Sequence, residues 1–195
     1  MLDPITSMES FVLETQRLIM RRWQETDREP YAALNADPEV TEFLPSALTP
    51  EQSNQMIDRI EAGFDRHGYG LWALEVRETR QFIGWTGLAM QTFESHFTPA
   101  VEVGWRLARS AWGYGYATEA ARAALTHGFE MAELTEIVSM ATVSNIRSHA
   151  VMERLGMTRD PADDFDYPLV PVESPVRHAV LYRLSADRWR SFDDL

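Results

Sequence analysis

The chain has 195 residues, of which 45% are hydrophobic, so it can bury a sizeable core and is not a disordered protein. Lysine and arginine together number 18, against 30 aspartates and glutamates, and the resulting net charge of −12 disfavours direct binding to the phosphates of nucleic acids. The absence of cysteine excludes a disulfide framework, a thiolate zinc site and a cysteine nucleophile. At this length we expect one domain spanning residues 1–195.

The start of the chain and its hydropathy argue against export and against a membrane span. Residues 1–11 contain Asp3 and Glu9 and lack a basic stretch ahead of a long apolar segment. No later stretch has the apolar length of a membrane span. We therefore expect a cytoplasmic protein. A homodimer is compatible with the sequence, which does not define the oligomeric state.

Hydrophobic periodicity and breaker residues divide the chain into strands and helices. The strongest local pattern is the run from Thr49 to Gln52, in which Thr49 can cap a helix, Pro50 suits its first turn and Gln52 completes a capping box. Asp27 and Ser144 are also predicted helix caps. In chain order the sequence predicts a strand within 11–23, a helix from 27 to about 35, a helix from 49 to about 67, a hairpin of 71–76 and 82–89, a strand at 101–107, a helix from 117 to about 129, a strand at 136–143, a helix at 145–155, an irregular segment at 160–175, a strand at 178–184 and a short last helix after 185.

This order of elements predicts an α/β protein with a mixed sheet and helices on both faces. A hairpin of antiparallel strands precedes two strand–helix units, and such crossover units favour parallel neighbours. Trp72 and Trp85, the tryptophans of the hairpin, are expected to lie mostly in the core.

The stretch from 101 to 130 has the features of an anion site. A strand leads to the run from Trp112 to Ala117, which contains two glycines, and a helix follows directly. A helix entered in this way presents free N–H groups and a positive dipole end to a phosphate, although two glycines can equally serve only the turn. A P-loop would need Lys after its last glycine, where Tyr116 stands, and a dinucleotide fingerprint would need a third glycine in place of Thr118. Both of these nucleotide patterns are therefore disfavoured.

Five short motifs, in this order and spacing, resemble the GCN5-related N-acetyltransferase family. They are Leu13-Glu14-Thr15-Gln16-Arg17-Leu18, Val101-Glu102-Val103-Gly104-Trp105, Trp112-Gly113-Tyr114-Gly115-Tyr116-Ala117-Thr118-Glu119-Ala120, Asn145-Ile146-Arg147-Ser148 and Glu153-Arg154-Leu155-Gly156-Met157. The similarity spans nearly the whole chain and is greatest to the branch that includes the ribosomal-protein-alanine N-acetyltransferases. It implies transfer of an acetyl group from acetyl-CoA to an amine, with no metal. It also implies a central sheet of about six to seven strands, splayed between the parallel strands 101–107 and 137–143.

The resemblance also implies which residues hold CoA. Backbone N–H groups of five consecutive residues would bind the pyrophosphate: Gly113, Tyr114, Gly115, Tyr116 and Ala117. The family's loop usually opens with Gln or Arg three positions before the first glycine. Ser110 stands there, and Arg109, one position earlier, is a weaker candidate for a side-chain contact. The acetyl-pantetheine arm would enter the splay, where a strand N–H near Leu107 could stabilise the oxyanion.

Attack on a thioester needs a neutral amine, a stabilised oxyanion and a proton for the departing thiolate. By resemblance, Glu102 is the first candidate for the general base, acting through water, and the alternative is a solvated or ion-paired strand carboxylate. Ser148 is the candidate acid and, with Asn145, a contact of the CoA arm, and the alternative is that both only cap a helix. His149 is explained more simply as structural. The family's usual acid is a tyrosine seven residues after the asparagine, and Met152 replaces it here.

The acceptor is defined less well than the donor. Glu42 and Phe43 lie where the family shapes its acceptor cleft, and the amine would be a protein N-terminus or a small molecule. An aspartate-rich loop could select a cation, although a solvated loop is the simpler explanation; its residues are Asp160, Asp163, Asp164 and Asp166. The missing tyrosine also supports a competing hypothesis, a catalytically silent acyl-CoA-binding or regulatory module with the same fold.

Overall fold

The computed structural model describes residues 11–193, with side chains up to Ser191. The acidic segment around Asp3 and Glu9 lies outside the described residues. The strands are β1 (Leu13–Glu14), β2 (Leu18–Arg21), β3 (Leu71–Val76), β4 (Phe82–Gln91), β5 (Ala100–Leu107), β6 (Glu136–Thr142), β7 (Thr158–Arg159), β8 (Phe165–Asp166) and β9 (His178–Ser185). The helices are α1 (Arg28–Ala36), α2 (Pro38–Thr41), α3 (Pro50–His67), α4 (Tyr116–Thr126), α5 (Ile146–Arg154) and α6 (Ala186–Asp193), and α4 continues into a π-helical turn at His127–Met131.

Helix α3 begins and ends where the sequence predicts. Thr49 Oγ1 accepts a hydrogen bond from the Gln52 N–H at 3.2 Å, and Gln52 Oε1 accepts one from the Thr49 N–H at 2.9 Å, which completes the capping box. Gly68 ends the helix with φ 74°, a left-handed conformation that glycine adopts without strain. The predicted capping box is therefore confirmed.

Two of the predicted caps are wrong. Asp27 precedes α1 but makes no capping hydrogen bond to it, because its carboxylate accepts from Arg21 Nη1 at 2.7 Å and from Nη2 at 3.0 Å. Helix α5 is capped by Asn145, whose Oδ1 accepts from the Ser148 N–H at 3.2 Å, and not by Ser144. Local sequence did not separate these neighbours because serine and asparagine cap helices about equally well.

The described strands form a single mixed sheet. Its order is β1-β2-β3-β4-β5-β6-β9-β7, with β8 also paired to β9. Six strands have four or more residues, in agreement with the predicted six to seven, while β1, β7 and β8 have two residues each. The paired strands run antiparallel except β5 and β6, which are parallel.

The parallel strands β5 and β6 diverge, as the sequence predicts. Among the described residues they share one pair in register, Glu102 with Val138, although the strands have eight and seven residues. Just beyond that pair, Ser139 Oγ on β6 donates to the Val103 carbonyl on β5 at 2.8 Å, so a side chain replaces the missing backbone bond. The divergence leaves an opening in the middle of the sheet toward the end of β5.

Consecutive residues of β5 show that helices cover both faces of the sheet. Side chains alternate between the two faces of a strand. Trp105 donates from Nε1 to Ser148 Oγ of α5 at 3.3 Å, whereas Arg106 donates from Nη1 to Asn35 Oδ1 of α1 at 2.6 Å. Helices α1 and α5 therefore lie on opposite faces.

The core confirms the assignment of the hairpin tryptophans. Trp72 is fully buried, with its ring edge against Phe64 and His127 at centroid distances of 5.3 Å each, and Trp85 is buried as well. A second, smaller cluster involves β6, β8 and β9 and contains Phe97, Val138, Phe165, Ala179 and Leu181. Within residues 11–193, no helix has the length and apolar character needed to cross a membrane.

Candidate active site

A cleft of about 1070 Å³ lies at the end of β5. Its walls are the strand end from Trp105 to Leu107, the following loop, one side of α4, one side of α5, residues 15–16 and part of the segment from Glu39 to Leu44. Trp105 and Arg106 point to opposite faces of the sheet, yet both line this cleft. The cleft therefore reaches both faces at the place where β5 and β6 diverge.

The glycine loop forms one end of the cleft. Gly113 and Gly115 have φ values of 84° and 81°, so both occupy the left-handed region in which other residues are strained. Gly115 is also the N-cap of α4 and offers no side chain to its first turn. The N–H groups of that turn thus remain available to a bound anion. Of the five predicted pyrophosphate residues, Tyr114 alone does not line the cleft, and its side chain is 61% exposed.

A carboxylate from α4 holds this loop to the start of the sheet. Glu119 Oε1 accepts from Thr15 Oγ1 at 2.6 Å and from the Arg17 N–H at 2.9 Å, while Oε2 accepts from Arg17 Nε at 2.7 Å. Arg17 Nη1 also donates to the Tyr114 carbonyl at 2.9 Å. Partial burial opposes ionisation of Glu119, but the hydrogen bonds from Thr15 and Arg17 outweigh it and lower the pKa of Glu119.

The open edge of β5 presents backbone groups to the splay. Leu107 faces Gly84 of β4 in register, and the Ala108 N–H donates to the Ile83 carbonyl at 2.9 Å. In an antiparallel ladder this makes Leu107 a member of a non-hydrogen-bonded pair, so its N–H and carbonyl point away from β4. The carbonyl accepts from Trp112 Nε1 at 2.9 Å. The N–H of Leu107 is thus directed to the edge where the family resemblance implies an oxyanion contact.

Glu102 lies where the two strands separate. Its Oε2 accepts from Gln91 Nε2 at 2.6 Å, and its carboxylate also accepts a backbone hydrogen bond from Met140 on β6. The side chain keeps some access to solvent but is surrounded by β4, β5 and β6, and this burial raises its pKa to about 7 despite the two hydrogen bonds. Glu102 does not line the cleft itself. A carboxyl group with this pKa can accept and release a proton near neutral pH.

Asn145 and Ser148 both line the cleft from α5. Asn145 caps α5, as its structural explanation predicts. Its Oδ1 is used by that cap, so only its Nδ2 group remains available to a ligand in the cleft. Ser148 Oγ accepts from Trp105 Nε1, so its own hydrogen remains free to donate. His149 Nε2 lies 3.0 Å from the Thr142 carbonyl, which agrees with the structural role expected for it.

Two arginines beside the cleft are paired with acidic residues. Arg109 Nε lies 3.0 Å from Glu39 Oε2, and Arg109 does not line the cleft. Arg147 Nη2 lies 3.2 Å from Glu42 Oε2, and its guanidinium covers the Trp112 ring at 4.3 Å. Phe43, the second residue predicted to shape the acceptor cleft, lines it beside Arg147 at 5.7 Å. The segment containing Glu39, Glu42 and Phe43 therefore contacts Arg109 and Arg147 through ion pairs and a ring contact.

The aspartate-rich loop is neutralised by the chain itself. Asp163 pairs with Arg183 at 2.7 Å, Asp164 pairs with Arg159, and Asp166 lies 3.0 Å from His178 Nδ1. Side-chain hydrogen bonds from these partners lower the pKa of all three carboxyl groups. Asp166 also lies 3.4 Å from Arg177 Nε, so three of the four predicted carboxylates already have an arginine partner. Within residues 11–193, no group of three or more His, Asp or Glu side chains is placed to hold a metal ion.

Three features of the site were not predicted from the sequence. They are the Trp105 contact to Ser148, the place of Arg106 in the cleft wall, and the link between Arg17 and Glu119 across 102 residues. Arg17 and Glu119 both belong to motifs that carry the family resemblance, but nothing in their spacing indicates that they meet. The alternation of β5 was sufficient to predict that Trp105 and Arg106 lie on opposite faces of the sheet. It could not predict their partners, because these come from helices distant in the chain.

Comparison with known proteins defines the family. The acetyltransferase (GNAT) domain model matches residues 17–158, and the chain belongs to this family. The uncharacterized protein YkkB of Bacillus subtilis (strain 168) is 30% identical over 146 residues, which cover 74% of this chain and 84% of that protein. The FsC-acetyl coenzyme A-N(2)-transacetylase of Aspergillus fumigatus is 27% identical over 186 residues, which cover 91% of this chain and 77% of that protein.

The fold is shared with solved acetyltransferase structures. A crystal structure of the acetyltransferase from Agrobacterium tumefaciens str. C58 has 29% sequence identity and a TM-score of 0.71, and the match covers 89% of this chain and 93% of that one. Members of the GNAT family use acetyl-CoA as the acetyl donor.

Proposed function

We propose that this protein is an acetyl-CoA-dependent N-acetyltransferase that acetylates a primary amine. The observation that carries the proposal is the position of the cleft, which joins the glycine loop to the opening between β5 and β6. The N–H groups of Gly113 to Ala117 would hold the pyrophosphate, and the open edge at Leu107 would receive the thioester. The cytoplasmic location, the single domain and a homodimer remain predictions.

The chemistry follows from groups on the two faces of the sheet. The amine nitrogen attacks the thioester carbonyl carbon, the N–C bond forms, and the negative charge that develops on the carbonyl oxygen is stabilised by the Leu107 N–H. Glu102, through intervening water molecules, takes the proton that the nitrogen loses. The C–S bond then breaks, and the hydroxyl of Ser148 donates a proton to the departing thiolate and regains one from solvent. The products are an amide and free CoA.

The acceptor class follows from the same resemblance. A protein N-terminal α-amine, as in the ribosomal-protein branch, or a small amine would both fit a direct attack in a ternary complex. An α-amine is neutral at pH 7 to roughly 10–20%, whereas a lysine side chain is neutral to about 0.04%, by their ordinary pKa values. The α-amine therefore needs less help from a base.

The test is thiol release from acetyl-CoA over a panel of amines and N-terminal peptides, with CoA affinity measured in parallel. We expect Glu102→Gln to lower kcat/KM about 10²-fold near pH 7, the usual range for loss of a general base, and to remove the rise of rate with pH centred on about 7. Ser148→Ala should lower kcat more than it weakens CoA binding. Unchanged rates in both variants would refute the assigned roles.

A silent CoA-binding module is the second candidate, and one observation favours it. Met152 occupies the position of the family's tyrosine acid and is fully buried, so this position offers the cleft no proton donor. The same experiment separates the two candidates. Tight CoA binding with no amine accelerating thiol release would establish the module, whereas turnover with any amine in the panel would exclude it.

A further inference from the structure

Arg106 is a cation in the cleft wall that no acidic side chain neutralises. It lines the cleft, and within the part of the chain that the structure describes no carboxylate forms an ion pair with it. Other sheltered arginines behave differently. Arg21 pairs with Asp27 and Glu75 at 2.7 and 3.0 Å. In a chain with 30 acidic residues, a sheltered arginine without a carboxylate is unusual and requires an explanation.

Neutral groups hold the Arg106 guanidinium in place. Asn35, which is fully buried on α1, accepts from Arg106 Nη1 at 2.6 Å and donates from Nδ2 to Ser53 Oγ at 3.0 Å, so its amide orientation is determined. The guanidinium also covers the Trp85 ring at 5.6 Å. These contacts orient the charge and satisfy one of its donors. They do not cancel the charge, and burial of Arg106 lowers its pKa.

The acidic residues of the cleft are committed elsewhere. Glu39 pairs with Arg109, and Glu119 pairs with Arg17 at 2.6 Å. Alternation along β5 places Arg106 on the same face as Glu102 and on the opposite face from Trp105, which contacts Ser148. Arg106 is therefore on the side of the sheet that carries the proposed base, where the acceptor amine would bind.

We propose that the acceptor amine carries a carboxylate, which pairs with Arg106 while the amine attacks the thioester at the Leu107 edge and passes its proton toward Glu102 through water. This inference rests on the proposed acetyltransferase activity. Residues 102 and 106 are four apart on one strand, about 13 Å between their Cα atoms at the usual rise. That distance is bridged by the water that carries the proton, because the amine itself attacks at the Leu107 edge. The best chain length of the acceptor therefore reports the reach from that edge to the Arg106 guanidinium. The planar guanidinium suits two-point contact with a carboxylate.

The test compares matched acceptors that differ only in charge. A series of ω-amino carboxylates of increasing chain length is assayed beside the corresponding ω-amino carboxamides. The wild-type protein should favour the carboxylate member at the best chain length by about 10-fold or more in kcat/KM. Arg106→Gln should lower kcat/KM for that carboxylate by about 10–100-fold, the usual value of a charged hydrogen bond, and change the carboxamide less than about 3-fold.

Control variants separate recognition from loss of structure. Arg28→Gln removes the same charge from a partly exposed site on α1 outside the cleft, and we expect it to leave the carboxylate preference unchanged. Arg106→Lys keeps the charge without the planar fork and should retain part of the preference. The KM for acetyl-CoA should be unchanged in Arg106→Gln. If that variant does not fold, the carboxylate preference of the wild-type protein and of Arg106→Lys still tests the inference.

Three outcomes would overturn the inference. They are equal wild-type rates for carboxylates and carboxamides, an equal loss for both in Arg106→Gln, and a loss confined to the KM for acetyl-CoA. The third outcome would mean that Arg106 contacts the donor. Failure of the proposed function gives a different result, because no amine of either series would then accelerate thiol release.

Discussion

The carboxyl group of Glu102 is under opposing influences. It sits among strands that exclude most water, but it accepts hydrogen bonds from Gln91 and from the Met140 backbone, the latter made available because β6 no longer pairs with β5 there. Burial prevails and raises its pKa from the ordinary 4.5 to about 7. The same divergence of strands that opens the cleft therefore also sets the proton affinity of the proposed base.

This pKa predicts a dependence of stability on pH. Because the folded-state pKa is above the unfolded value, the contribution of Glu102 is fully present below about pH 4.5 and is lost as the pH rises through about 7. Glu102→Gln should remove that loss. The free energy of unfolding of Glu102→Gln minus that of the wild-type protein should increase by up to about 3 kcal/mol from pH 5 to pH 8, because the wild-type protein loses stability over this range. Urea unfolding at the two pH values measures this, and an equal difference at both would contradict the raised pKa.

At the scale of elements, the glycine loop depends on contacts from the first strands. Its two glycines allow the turn, but Arg17 holds the Tyr114 carbonyl and is itself held by Glu119. The segment 15–17 thereby orients the proposed phosphate site from the opposite end of the chain. The lowered pKa of Glu119 means that this link contributes stability at neutral pH and loses it as the pH falls through that lowered pKa.

Glu119→Gln tests the link between these elements. The amide would place donors against Arg17 and remove acceptors that Thr15 and Arg17 now use, so we expect a loss of about 1–2 kcal/mol in the free energy of unfolding. CoA affinity should fall about 10-fold, measured by calorimetry. Glu14→Gln is the matched control, because it breaks an exposed ion pair with Arg77 and should change stability by less than about 0.5 kcal/mol. Equal effects of the two variants would count against the link.

At the scale of the whole molecule, close backbone contacts between neighbouring strands hold the sheet in register. A Cβ atom at Gly87 would lie 2.1 Å from the Gly70 carbonyl oxygen and 2.8 Å from the Leu71 Cα. Those are backbone atoms at the start of the adjoining strand β3, and they cannot move without shifting that strand. Position 87 in β4 therefore requires glycine if β3 and β4 are to pair as they do.

Gly87→Ala should therefore destabilise the protein by about 3 kcal/mol, the upper end of overpacking costs. The matched control is Gly63→Ala in α3, where a Cβ meets nothing within 4 Å and the higher helix propensity of alanine should raise stability by about 0.5–1 kcal/mol. Thermal unfolding of both variants gives the two shifts. Shifts of the same sign would show that the strand contact is looser than described.

Much of this architecture could be predicted from the sequence because its causes are local. The capping box at Thr49, the hairpin around residues 77–80 and the alternation of β5 all depend on residues close in the chain. The errors concerned two helix caps. Asp27 was diverted from capping by Arg21, an ion pair that only the packed sheet brings together, and Asn145 took the cap predicted for Ser144.

By itself, the sequence determined the order of the longer strands and helices, the glycine loop before α4 and the family resemblance, because each of these depends on neighbouring residues. Only the tertiary structure decided what those parts do to one another. It placed Glu102 at the divergence of β5 and β6, joined Ser148 to Trp105, tied Arg17 to Glu119 and left Arg106 without a carboxylate. The physical reason is that burial, pKa and charge pairing depend on distances between groups far apart in the chain, which folding alone sets.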